Sequence, residues 1–215
     1  LDVHPPHEPI RSWQDFLLHL ATITVGLLIA IALEAGVEAL HYRHIVGDAR
    51  TNLRRELLEN QKTYAENLRS LEANAEMLKH DIDQLRDVRA GRPPEHLDLH
   101  WSFLWSSYVD AAWKSARDIG AIAHMRPETI EDYSGVYNQQ QYVNELGIGI
   151  LFDEAKAAAP LQFARDHNDP RELQPIDIQT MMQATAELAA RLVTLQNIMK
   201  PLEDDYTAIL KEPPR

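Results

Sequence analysis

The sequence predicts an all-α protein, an N-terminal transmembrane helix followed by an antiparallel, mostly four-helix bundle. Three observations predict it. Phe16 to Leu33 is a run of eighteen residues without a formal charge. Beyond about residue 48, apolar residues advance by alternating threes and fours, the coiled-coil-like seam of packed helices. No period-two alternation long enough for a sheet is apparent. A hydrocarbon core of roughly 30 Å needs about 20 helical residues, and the apolar run supplies them when extended through Ala35.

Residues 1–12 read as an extended tail, because Pro5, Pro6 and Pro9 remove amide donors and restrain their neighbours. His4 and His7 could hold a metal, but two histidines around a Pro-Pro pair are only a compositional cue. Residues 13–42 form the anchor. Ala30-Ile-Ala32 has the small-x-small form of a signal-peptide cleavage site and Arg11 supplies a thin basic flank, yet the run is longer than a usual signal core, so it is expected to be retained. Trp13 and Tyr42 flank it where amphipathic rings favour the headgroup level. Thr22, Gly26 and Ala30 recur every fourth residue and lead to Glu34, a small-residue face on which another helix can pack closely.

Residues 43–212 form the helical domain, with helices expected at about 48–89, 98–118, 127–158 and 176–210. The first carries Leu53, Leu57, Gln61, Tyr64, Leu68, Leu71, Ala75, Leu78, Ile82 and Leu85 at seam spacing. Gly47 suggests a hinge before it, and Gly91-Arg-Pro-Pro94 stops it. The second is aromatic. Trp101, Trp105, Tyr108 and Ala112 line one face while Val109, Trp113 and Ala116 line the next, an arc wider than one seam requires. Either that helix is buried on two sides or Trp101, Trp105, Tyr108 and Trp113 are contacts for a partner. Pro127 and Glu128 open the third helix, which continues through Ile130, Tyr133, Tyr137, Asn144, Gly147 and Leu151. Gly147-Ile-Gly149 lacks the strand and third glycine of a phosphate loop and fits close packing or a bend. After Pro160 to Pro175, the fourth helix repeats Ile178, Met181, Thr185, Leu188, Leu192, Leu195, Met199, Leu202, Tyr206 and Ile209, with Pro201 expected to kink it.

Charge and motifs narrow the function. With 33 acidic against 21 basic residues and a net charge of −12, no basic stripe offers itself to nucleic acid. The absence of cysteine removes disulfides and thiolate chemistry. No His-Glu-x-x-His, Gly-x-Ser-x-Gly or Gly-Lys-Ser/Thr pattern occurs, so the chain reads as non-catalytic with no cofactor expected. The alternatives are a ligand-sensing helical module or a protein binding a cofactor or metal through His19, or through Glu38 and His41 at Glu-x-x-His spacing without the second such motif that di-metal bundles use. His80, His96, His100 and His124 fall near helix ends, where capping or exposure accounts for them. The expected role is an accessory or scaffolding subunit of a larger membrane assembly. Its partners would be the lipid bilayer and other membrane subunits or copies of itself.

Ile10-Arg-Ser-Trp-Gln-Asp-Phe-Leu-Leu-His19, Gly26-Leu-Leu-Ile-Ala30 with Glu34, His41, His44 and the stretch from Trp113 to Tyr137 resemble a group of uncharacterised bacterial single-pass membrane proteins. The resemblance is most specific over residues 10–50. It implies an N-terminal anchor in a bacterial inner membrane with a helical domain, and no activity. Arg43, Arg50, Arg54 and Arg55 follow the anchor while Arg11 precedes it, a bias that favours a cytoplasmic domain. A single N-terminal anchor bearing an acidic, cysteine-free domain is also a periplasmic layout.

Overall fold

A computed structural model of the chain describes residues 12–101, 103–163 and 169–211. The expected lead-in, apart from Ser12, the closing Pro213-Pro214-Arg215 and most of the Asp166–Pro170 turn lie outside them. Four α-helices follow one another, α1 (Trp13–Arg89), α2 (Ala111–Asp118), α3 (Pro127–Ala158) and α4 (Pro175–Lys211), with 3-10 turns at Ala121–His124, Ala159–Phe163 and Pro170–Glu172. No strand occurs among the described residues. Two compact units divide between Asp48 and Ala49.

In the N-terminal unit the Ser12 hydroxyl accepts from the Asp15 amide at 3.1 Å and caps α1 where the apolar run begins. This is a helix long and apolar enough to cross a membrane, and no residue of its apolar window is buried. Within it, Thr22 and Thr24 donate to the carbonyls of Leu18 and Leu20 at 2.9 and 2.8 Å. Helical backbone continues through Gly47.

In the second unit, α1 buries Leu57, Tyr64, Leu71, Leu78 and Leu85, one per heptad, as its spacing indicates. The other position of the seam is polar. Asn60, Asn67, Asn74 and Asp81 are buried where Gln61, Leu68, Ala75 and Ile82 were expected, because the inward stripe lies one residue earlier. α1 ends in a Schellman motif: Gly91 takes φ 73°, its amide donates to Val88 and the Arg92 amide to Asp87.

The expected helix at 98–118 is mostly absent. Of the described residues there, only Ala111–Asp118 are helical, and 97–101 and 103–110 form an extended strap. Its inward positions are Leu97, Leu99, Trp101, Phe103 and Trp105, buried or half-buried at every second residue. This period-two run is short, and the i,i+4 spacing of Trp101 and Trp105 concealed it as helix.

Among the long helices, α1 and α3 run parallel and α4 runs antiparallel to both. Tyr137 and Gln140 of α3 meet Glu56 and Asn60 of α1. Gln139 and Asp153 of α3 meet Ile198 and Arg191 of α4, which makes that pair antiparallel. Tyr64 and Tyr206 pack edge to face with centroids 6.1 Å apart. The segment between α1 and α2 runs antiparallel to α1, Gln84 meeting Asp98 and Asn60 meeting Val109. α3 and α4 begin and end within one residue of expectation. α4 buries every predicted seam residue from Ile178 to Tyr206, and its helix runs on through Pro201. On α3, Tyr133, Tyr137 and Gly147 are buried, whereas Leu151 is exposed.

Gly147 is the one glycine among those described whose missing side chain makes room for another residue. A Cβ there would stand 2.2 Å from Cε2 of Trp105, while at Gly149 it would meet nothing within 4 Å. Gly147→Ala is expected to lower stability by about 1–3 kcal/mol through overpacking. Gly149→Ala should hold or gain stability from helix propensity. Denaturant unfolding of the two variants in one detergent checks this, and equal midpoints would remove the Trp105 contact from the account.

Candidate functional site

The strap is held by side chains standing in for a neighbouring strand. Along α1, Gln84 pairs with both the amide and the carbonyl of Asp98, Asn67 with both of Ser106, and Asn60 with both of Val109, at 2.6–3.0 Å. Between them, Asp81 accepts from the His100 amide at 3.0 Å and Ser70 donates to the Leu104 carbonyl at 2.9 Å. Glu56 accepts from the Ala112 amide at 2.8 Å. From α3, Asn144 pairs with both polar groups of Tyr108, and Glu154 accepts from the Phe103 amide.

These contacts fix the strap's conformation. From Asp98 to Val109 the strap advances 11 residues while its partners on α1 retreat from Gln84 to Asn60, 24 residues. At 1.5 Å per helical residue that is about 36 Å, or about 3.3 Å per strap residue, the rise of extended chain. An α-helix of 11 residues would cover about half the distance.

Two buried relays tie the strap to the other helices. Asn60 also donates to Gln140 at 3.0 Å, and Gln140 donates to the Tyr206 hydroxyl at 3.0 Å, so one chain of hydrogen bonds joins Val109, α1, α3 and α4. Glu56 holds the Tyr137 hydroxyl at 2.7 Å beside its contact to Ala112. Burial raises the pKa of Tyr137, and its bond to the Glu56 carboxylate raises it further. Burial likewise raises Tyr206. Burial lifts the Glu154 carboxyl, with the Phe103 amide opposing. Asp81 is pushed up to about 6 by burial, against the lowering pull of the His100 amide.

The four aromatic residues singled out from the sequence gather around this strap. Trp101 packs on the cluster of Leu85, Leu97, Leu173, Ile178 and Met181. Trp105 lies against Gly147, stacks on Phe103 at 5.9 Å and meets Tyr108 edge-on at 6.2 Å. Trp113 stacks on Tyr137 at 5.3 Å. Tyr108 is buried, and the three tryptophans are half-buried against their own chain. In the other unit, Thr22, Gly26, Ala30 and Glu34 are exposed, as is His19, and a Cβ added at Gly26 would meet no other side chain within 4 Å. Glu34, Glu38 and His41 border a shallow depression with Leu33 and Val37.

Sequence reasoning missed the clasp itself. The signal was present as Asn60, Asn67, Asn74 and Asp81, a polar residue at every seventh position among leucines. It missed two further features. Asp153 is buried between Lys156 at 3.0 Å and Arg191 of α4 at 2.8 Å. A cavity of about 510 Å³ is lined by Arg50, Arg54, Glu131, Asp132, Tyr133 and Asp205 among others, and burial raises the Asp205 carboxyl there.

Removing a clasp leaves backbone groups without partners, at about 1–3 kcal/mol for a buried group. Asn67→Ala should therefore cost more than Asn74→Ala, because the Asn74 amide donates only to Ser70 of its own helix. Hydrogen exchange reads this directly. The Ser106 amide should lose protection in Asn67→Ala and keep it in Asn74→Ala, and equal exchange in both would show that the clasp is not what holds the strap.

No protein-family model, curated protein or solved structure matches this chain.

Proposed function

We propose that this chain is a non-catalytic, membrane-anchored helical protein acting as an accessory or scaffolding subunit of a larger membrane assembly. The observation that carries the reading is the apolar window of α1, none of which is covered by the chain's own fold. Lipid is the cover that such a length and composition suit. The Thr22, Gly26, Ala30 and Glu34 face offers a neighbouring helix close backbone approach.

The second unit supports the same reading. Its buried amides and acids along the strap are engaged in holding the chain's own backbone, a structural use of polar groups. Its exposed face suits contact with another protein. Leu104 beside Trp105 is 77% exposed, and Ile148, Leu151 and Phe152 share one exposed face of α3. Half-buried Trp101, Trp105 and Trp113 keep an edge outside, and aromatic anchors of this kind dominate protein interfaces. Tyr108 serves the interior instead. A ligand-sensing role is the second reading, favoured by the charged cavity that Arg50, Arg54, Asp132 and Asp205 line. The basic residues after the anchor favour a cytoplasmic position for this unit on a bacterial inner membrane, with the periplasm as the alternative.

Crosslinking in membranes followed by purification in mild detergent is expected to recover a companion subunit or a homo-oligomer. Gly26→Ile should weaken that assembly by keeping backbones apart, while Leu27→Ile leaves it intact. Phe152→Asp should release the companion with helical circular dichroism and melting unchanged. A monodisperse monomer after gentle crosslinking would overturn the accessory role. Protease added to spheroplasts tests sidedness, since digestion of the domain from outside places it in the periplasm.

A further inference from the structure

We propose that His80, Asp81 and His100 form a site for one divalent transition-metal ion of the zinc class. Each offers a ligand atom within 4.8 Å of the others. The site joins two segments that the sequence separates, His80 and Asp81 on α1 and His100 on the strap.

Asp81 is the centre of the argument. Its side chain is wholly buried, and its two oxygens differ. Oδ2 accepts from the His100 amide at 3.0 Å. Oδ1 accepts no hydrogen bond and has His80 Nδ1 3.9 Å away. A buried carboxylate oxygen without a donor is costly, and a cation is one of the partners that relieves it. The two histidines beside it are exposed, so their rings can take up an ion from solvent and turn it towards the buried oxygen.

The surrounding groups suit imidazole ligation. Asp98 Oδ1 lies 3.3 Å from His100 Nε2, a carboxylate placed to hold one ring nitrogen and leave Nδ1 for an ion, the usual outer partner of a metal-bound histidine. Gln84 clasps Asp98 and also lies 3.0 Å from His80 Nδ1, so ligation through that nitrogen replaces one contact of an amide that keeps its bonds to the strap. Tetrahedral zinc with bonds near 2.1 Å sets its ligand atoms about 3.4 Å apart. The three atoms must close by up to about 1.4 Å, within the rotation of two exposed side chains. Two nitrogens and one oxygen are a borderline donor set that favours zinc-like ions over calcium or magnesium. Three protein ligands leave a fourth position for water.

Bound there, the ion links α1 to the beginning of the strap and stabilises the folded domain by mass action. Titration of the full chain in detergent with Zn²⁺ or Co²⁺ is expected to show one equivalent bound, with the d–d spectrum of low-coordinate Co²⁺ and a melting midpoint that rises with metal. Loss of an outer partner alone lowers metal affinity roughly 10- to 100-fold, so His80→Ala and His100→Ala should each lower it at least tenfold. Both variants spare the fold: the two side chains are exposed, and the bond from residue 100 to Asp81 comes from the backbone amide. A His4→Ala, His7→Ala variant serves as the control for the tail histidines and should bind as tightly as the parent chain. No stoichiometric binding, binding unchanged in both His80→Ala and His100→Ala, or binding lost only with His4 and His7 would each overturn the site.

Discussion

A primary amide side chain is a copy of the peptide group, and the second unit depends on that likeness. A chain segment packed between helices must pair its N–H and C=O groups, and it has no adjacent strand to do so. Asn60, Asn67, Gln84 and Asn144 each present one acceptor and one donor in a plane and take both polar groups of one strap residue, as a β partner would. Without them, Asp98, Ser106, Tyr108 and Val109 would carry orphaned backbone groups, and solvent exposure would displace the aromatic side chains that the strap brings inward. The strap thus satisfies the hydrogen bonding of a sheet inside an all-helical protein.

The arrangement exchanges some hydrophobic burial for specificity. An apolar residue at positions 60, 67 and 81 would bury surface without directionality, and neighbouring registers of the helices would then differ little in energy. Polar residues in a seam penalise every register in which they lack partners. Here the penalty is shared through the relay from Val109 to Tyr206, which engages α1, α3 and α4 at once. Pairwise side-chain contacts between apolar residues supply most of the cohesion; the amides determine which arrangement of those residues is the folded one.

Much of this was legible from residue spacing. The bounds of α3 follow from Pro127 and the loss of pattern near Ala158, and the seam of α4 follows from an unbroken three-four alternation. These signals are local, generated by one helix facing one core. The strap was not legible for a physical reason. Trp101, Trp105 and Tyr108 satisfy helical spacing as well as Leu97, Leu99, Trp101, Phe103 and Trp105 satisfy alternation, and the choice between them lies elsewhere in the chain, in amides 30 to 50 residues earlier. The candidate site was hidden by the same non-locality. His80 and His100 read as unrelated surface residues until the extended conformation of the strap sets residue 100 beside Asp81.

The spacing of the clasps works like a vernier between two scales. Asn60 meets Val109, Asn67 meets Ser106 and Asp81 meets His100, so seven residues of helix match three of strap, and fourteen match six. A heptad of α-helix rises about 10.5 Å and three extended residues about 10 Å, so the two rulers stay in phase from Asn60 to Asp81. Asn74 occupies the remaining tick, opposite Phe103, whose amide has turned to Glu154 instead. A protein geared in this way cannot change length one residue at a time. A heptad gained or lost in α1 must be met by three residues in the strap, with matching changes in α3 and α4, so viable size variants of this domain are spaced in coarse, concerted steps.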